Sequence, residues 1–194
     1  MFLFFVIIET RQERKIQAGG SMKRQNMEKK ILMGLFLFYL VSMTWIIVFK
    51  MEFSFRELTI GNRTLNLIPF GGALIVNGKL DVTEMIQNVL IFCPFGIYAG
   101  VLWRKWNLRD KIFAFFMVSF LYEAIQYGFA IGRADITDLI ENTFGGILGL
   151  AVYALIHCIC QKKEERTQKV ILFCAVLASA AMAGLLAVLL LANR

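Results

Sequence analysis

Acidic residues are scarce in this chain: 14 Asp and Glu stand against 21 Lys and Arg in 194 residues, a formal net charge of +7. Histidine occurs once, proline twice and cysteine four times. Each shortage excludes something. His157 sits beside Cys158 and Cys160, but three such groups without a further ligand do not make a zinc site. Cys93, Cys158, Cys160 and Cys174 all fall in apolar runs predicted as helices, so they read as buried apolar side chains and not as a disulfide framework. With only Pro69 and Pro94 present, the long apolar runs go almost uninterrupted.

Those runs define the class. Hydrophobic residues make up 58% of the chain. A bilayer core of about 30 Å needs roughly 20 apolar residues of helix. Five stretches qualify, at about 31–49, 84–103, 111–131, 138–160 and 170–192. Backbone groups in lipid must be satisfied within the segment, so all five are predicted as helices. The expected fold is all-α, a polytopic membrane bundle of five transmembrane helices. Residues 1–30 form a basic N-terminal segment, and residues 31–194 the membrane domain, with its largest loop at 50–83. Residues 1–8 are too short to span and no basic stretch precedes them, so they are not a secretory signal. Met22 precedes a basic segment and then a spanning helix, so residues 1–21 read as an upstream extension or tail.

Positive charge is distributed unevenly. Seven Lys/Arg precede the first span: Arg11, Arg14, Lys15, Lys23, Arg24, Lys29 and Lys30. Four lie between the second and third (Arg104, Lys105, Arg109, Lys111) and four between the fourth and fifth (Lys162, Lys163, Arg166, Lys169). Four of the remaining six are spread over the 50–83 loop. This pattern predicts a cytoplasmic N-terminus and an extracytoplasmic C-terminus, and it accounts for the basicity without nucleic acid. Trp103 and Trp106 fit one interfacial belt and Trp45 the other.

One eight-residue segment occurs twice. Asp81-Val-Thr-Glu-Met-Ile-Gln-Asn88 recurs as Asp135-Ile-Thr-Asp-Leu-Ile-Glu-Asn142, with Asp, Thr, Ile and Asn identical. Each copy opens an apolar stretch on the predicted outer side, so the repeat is parallel, an arrangement that in some transporters puts the working site at the repeat interface. Asp81 with Glu84, and Asp135 with Asp138, have capping-box spacing, and acids suit a helix N-terminus. Capping leaves Asn88 and Asn142 unexplained. Each lies one turn deeper, on the face of the acid four residues before it.

Further polar groups are predicted at the same level. Ser119, Glu123 and Gln126 share one face of the third helix. Glu123 lies roughly 18 Å along that helix from Lys111 at the α-helical rise. An ionisable group at such depth costs about 2.5–3.5 kcal/mol and reads as functional. Its expected partner is Arg133, in the loop before the second octet. In the fourth helix Gly145 and Gly149 continue the face of Asp138 and Asn142, spacing that lets another helix approach closely. In the second, Pro94 predicts a kink that shapes a cavity just inside Asn88, followed by Gly96 and Gly100. In the loop, Gly61-Asn62 predicts a hairpin turn between strands at 53–60 and 63–70. The apolar Asn66-Leu-Ile-Pro-Phe70 is expected to fold back over the polar cavity.

Taken in order, these elements resemble the VanZ-like membrane proteins. The resemblance rests on Thr44-Trp45, Asn66-Leu-Ile-Pro-Phe70, Asn88 followed by Phe92-Cys-Pro-Phe-Gly96, Ser119 with Glu123 and Gln126, and Arg133-x-Asp135-x-x-Asp138-x-x-x-Asn142. It covers about residues 31–160. No single element is specific; the ordered set is. The resemblance implies a bacterial plasma-membrane protein acting near the cell envelope. The family's name-bearing member is associated with low-level resistance to the glycopeptide teicoplanin, without the enzymes that remodel peptidoglycan precursors.

Sequence and resemblance converge on a polar cavity in the outer leaflet, with Asn88, Glu123, Gln126, Arg133, Asp135, Asp138 and Asn142 as candidate ligand-binding residues. Catalytic residues are not identified. Three functions fit. The first is a non-catalytic protein binding membrane lipid, a lipid-linked cell-wall precursor or an acylated glycopeptide. The second is an intramembrane enzyme on a lipid-linked substrate, for which oxygen ligands would favour magnesium or manganese over zinc. The absence of a Ser–His or Cys–His pair on that side disfavours nucleophilic catalysis of those kinds. The third is a small transporter, for which five helices would call for an oligomer. Binding without a cofactor is the favoured expectation.

Overall fold

Helices take up most of the chain because its apolar runs leave the backbone no other way to satisfy its hydrogen bonds in lipid. The computed structural model describes residues 2–49, 64–70, 75–76, 79–80, 82–129 and 133–192. It contains α1 (Phe2–Phe49), α2 (Thr83–Leu102), α3 (Leu108–Phe129), α4 (Ile136–Ile159) and α5 (Glu164–Ala192). Each holds a segment long and apolar enough to cross a membrane: Met22–Ile47, Thr83–Leu102, Leu108–Phe129, Ile136–Ile159 and Glu164–Val188. The all-α, five-span expectation is met. Two boundaries differ. Helix α1 begins at Phe2, ahead of the first apolar run, so the segment read as an upstream extension or tail is helical from Phe2 and continuous with the first span. Helix α5 begins at Glu164, ahead of the apolar run, because Glu164 and Glu165 in its first turn suit the positive end of the helix dipole.

The tightest helix pair is α2 with α4; α3 packs on α4, and α1 on α5 and α2. Glycines set the α2–α4 separation. A Cβ on Gly96 would strike the Gly146 carbonyl, one on Gly149 the Cys93 carbonyl and one on Gly145 the Val89 carbonyl. A Cβ on Gly100 would enter the Tyr153 ring. The pairs Val89–Gly145, Cys93–Gly149 and Gly100–Tyr153 are 56, 56 and 53 residues apart, close to the 54 that separate the octets. Helices α2 and α4 therefore run parallel and in register, as the repeat predicts. Aromatic rings fill the space around them. Phe95 sits edge-on to Phe115 at 5.0 Å, and Phe36 lies 5.6 Å from Phe95. Such pairs add about 0.5–1.5 kcal/mol each beyond their burial. Large apolar side chains such as Leu90, Phe129 and Phe173 point outward, as in a bundle facing lipid.

The two ends of the bundle differ. At the basic end Arg104, between α2 and α3, pairs with Glu164 at the start of α5. His157 stacks on Tyr153, and its Nδ1 lies 2.9 Å from Thr167 Oγ1, tying α4 to α5. At the other end lie four short strands: β1 (Thr64–Asn66), β2 (Ile75–Val76), β3 (Lys79–Leu80) and β4 (Arg133–Asp135). Strands β2 and β3 pair antiparallel. Strand β1 pairs in parallel with β4, matching Leu65 to Ala134 and Asn66 to Asp135. The hairpin expected about Gly61-Asn62 lies outside the described residues. Among the described residues of its second strand, Thr64–Asn66 are extended, and their partner is β4. Backbone groups of a segment crossing the end of a bundle need partners, and β4 supplies them.

Candidate functional site

The site is built on the N-terminus of α4. Asp135 is its N-cap, and its Oδ1 accepts from the Thr137 N–H at 2.9 Å. In a capping box the acid three residues on would accept the cap residue's own N–H. Here that N–H donates to Glu123 Oε2 of α3, at 2.8 Å. The α3 carboxylate thus fixes the start of α4. The other Asp135 oxygen, Oδ2, accepts from Asn66 Nδ2 at 2.9 Å, and the Phe70 N–H donates to Thr137 Oγ1 at 3.0 Å. The segment from Asn66 to Phe70 therefore folds back over the cluster, as expected. Phe70 has φ 58°, a left-handed turn that brings its N–H onto α4.

One turn deeper, Asn88 of α2 bridges two acids of α4. Its Nδ2 donates to Asp138 Oδ1 and to Glu141 Oε2, each at 2.9 Å. Asn142 faces the other way, and its Nδ2 donates to Ser119 Oγ of α3 at 3.0 Å. Both asparagines point into the bundle, but they serve different interfaces, α2–α4 and α3–α4. Gln126 lies farther off, donating to the Ile47 carbonyl of α1 at 3.0 Å. Near it Tyr122 and Thr44 hydroxyls share a hydrogen bond of 2.9 Å.

Of the residues singled out from sequence, Asn88, Glu123, Asp135, Asp138 and Asn142 are brought together. Gln126 belongs to the adjoining α1–α3 contact. Strand β4 places the Arg133 backbone beside Thr64, but the expected Arg133–Glu123 pair and Asp81 lie outside the described residues. The N-cap of α2 is Val82, which makes no side-chain cap bond, so the octets differ at their first turn. Pro94 does not shape the polar cavity. It lines an apolar cleft of about 370 Å³ with Tyr39 and Ser42 of α1 and Cys174 of α5. Helix α2 continues through it, and Tyr39 donates to the Ile91 carbonyl at 2.6 Å, next to the carbonyl whose donor proline removes.

Glu141 was missed from sequence. It is 5% exposed and bonded to Asn88. Its counterpart in the first octet, Gln87, is exposed. The signal was present: Glu141 follows Asp138 by three residues and so shares its helix face. Among the described residues, no three His, Cys, Asp or Glu side chains come together in a way that could hold a metal ion. An apolar groove of about 480 Å³ opens beside the cluster, lined by Phe70, Met85, Ile86, Ile140 and Phe144, with Glu141 at its wall.

These features define a multi-pass helical membrane protein with a part-buried carboxylate–carboxamide cluster at the end where α2 and α4 begin. The family model VanZ/LLP1 matches residues 36–157, a span that contains the whole cluster. Protein VanZ of Enterococcus faecium is 39% identical over 153 residues, 78% of this chain and 89% of that protein. The chain belongs to the VanZ/LLP1 family. No solved structure matches it.

Proposed function

We propose that this protein binds a lipid or lipid-linked ligand in the outer leaflet of a bacterial plasma membrane, and thereby contributes to resistance to acylated glycopeptides such as teicoplanin. The carrying observation is the junction of the Asn88–Asp138–Glu141 cluster with an apolar groove lined by the exposed Ile86, Ile140 and Phe144. A polar head and an apolar tail would find matching surfaces there. The uneven Lys/Arg distribution supports the orientation, with the basic turns inside and the cluster outside. Family membership supports the link to resistance.

Two measurements test this. Native mass spectrometry of the purified protein should show lipid retained by the wild type and lost from Asn88→Leu. Expression in a susceptible host should raise the inhibitory concentration of teicoplanin more than that of a glycopeptide without an acyl chain, and Asn88→Leu should abolish the rise. A wild-type protein that retains no lipid, or an equal effect on both drugs, would sink the proposal.

A further inference from the structure

Two apolar cavities meet at one side chain. Leu90 lines both the groove beside Glu141 and the cleft that holds Pro94. It belongs to a row on α2, Ile86, Leu90, Pro94 and Tyr98, spaced four residues apart, and such a row forms a continuous ridge on a helix surface. Ile86 lines the groove, and Pro94 and Tyr98 line the cleft. Exposure falls along the row: Ile86 and Leu90 are exposed, Pro94 is half-buried and Tyr98 is buried. The row therefore sinks from the surface beside the polar cluster into the interior of the bundle. From Ile86 to Tyr98 it runs about 18 Å at the α-helical rise. That is more than half of a hydrocarbon core of about 30 Å.

Helix α5 keeps the inner cavity wide. It turns Cys174, Ala175, Ala178 and Ser179 to the cleft, while its bulkier Phe173, Val176 and Leu177 are exposed away from it. The cleft holds about 370 Å³ and the groove about 480 Å³. Both fall within the roughly 300–1,000 Å³ of small-ligand pockets. Water finds few partners between apolar walls, and an empty space forfeits the dispersion contacts of its lining. A helix is about 10–12 Å across, and seated along the length from Leu90 to Tyr98 it would need at least roughly twice the cleft's volume. A hydrocarbon chain fits. Building on the lipid-binding proposal above, we infer that the ligand carries one long hydrocarbon chain that follows the Ile86–Tyr98 row from the groove, past Leu90, into the cleft. The head stays beside the polar cluster, and the cleft selects for chain length. A short chain ends at Leu90 and leaves the cleft unfilled.

The test uses the delipidated full-length protein in detergent and two lysophosphatidylglycerol probes, one palmitoyl and one octanoyl, each with a diazirine at the chain end. Photo-adducts are mapped by peptide mass spectrometry. The palmitoyl probe is expected to label the cleft, at residues such as Tyr98 and Met182. The octanoyl probe is expected to label the groove, at Ile86, Ile140 or Phe144. Leu90→Trp, at the exposed junction, should cut cleft labelling by roughly tenfold and leave groove labelling in place. Ala178→Phe, which fills the cleft from α5, should do the same, and it serves if Leu90→Trp fails to fold. Equal cleft labelling by the two probes, or cleft labelling undiminished in both variants, would overturn the inference. So would a dimer in native mass spectra that Ala178→Phe dissociates, since it would give the cleft to a second copy. A labelled groove with an unlabelled cleft removes this inference alone; no labelling of the groove by either probe removes the broader proposal as well.

Discussion

Asn88 donates to both Glu141 and Asp138, so removing it should be felt twice. Asn88→Leu leaves two carboxylate oxygens without that donor in a half-buried setting, a loss of about 1–3 kcal/mol for each buried group left unmatched. Asn88→Asp should be worse, because it sets a third carboxylate against the two already there. Thermal unfolding in detergent should rank wild type above Asn88→Leu and Asn88→Asp last; a reversed order of the two variants would show that charge crowding does not govern this cluster. A milder pair tests Glu123. Glu123→Gln keeps an oxygen for the Asp135 N–H, whereas Glu123→Ala leaves that cap N–H unmatched, so only the alanine variant should lose about 1–3 kcal/mol. Equal losses would locate the role of Glu123 elsewhere. At this scale the sequence was legible where identity and depth agreed, as at Asn88, Asn142 and Glu123. Glu141 escaped because it is not among the positions identical between the octets: its counterpart Gln87 is exposed, whereas Glu141 is buried.

Helices α2 and α4 approach closely because neither has a side chain in the way. Gly96→Ala and Gly149→Ala would each drive a methyl into backbone of the opposite helix, where nothing can rotate aside. Overpacking of this kind typically costs about 1–3 kcal/mol. The expected readout is a lower unfolding temperature and, since Asn88 must reach α4, weaker lipid retention in the same variants. Gly34→Ala and Gly184→Ala meet nothing within 4 Å and should be neutral or slightly stabilising. A neutral Gly96→Ala would refute the close α2–α4 packing. Helices as elements were readily legible, since length and apolar content decide membrane spans. The register of α2 on α4 was legible too, because the octets carry it in their spacing. The fold of the 50–83 loop was not. Strand β1 is three residues long, too short for an alternating pattern, and its partner β4 lies across two helices in sequence. Nothing local in Thr64-Leu65-Asn66 points to Arg133-Ala134-Asp135.

That long-range pairing offers a test of the whole molecule, because it joins the loop to the site and lies at one end of the bundle. Leu65 and Ala134 are register partners in β1 and β4. Neighbouring strands lie about 4.7–4.9 Å apart, within the usual Cα separation of a disulfide. With the four native cysteines replaced by alanine, Leu65→Cys and Ala134→Cys together should cross-link. Disulfides persist outside the cytoplasm and are kept reduced within it. If the cluster faces outward, as the positive charge at the opposite end predicts, the bond should form in intact cells without added oxidant, seen as a mobility shift on non-reducing gels after thiols are blocked. Isolated membranes treated with an oxidant separate the two ways this can fail. A bond that forms only there would keep the β1–β4 pairing but turn the protein over, putting the cluster in the cytoplasmic leaflet, where a drug arriving from outside could not meet it. A bond that forms in neither case would remove the pairing itself, and with it the placement of Asn66 and Phe70 over Asp135 and Thr137.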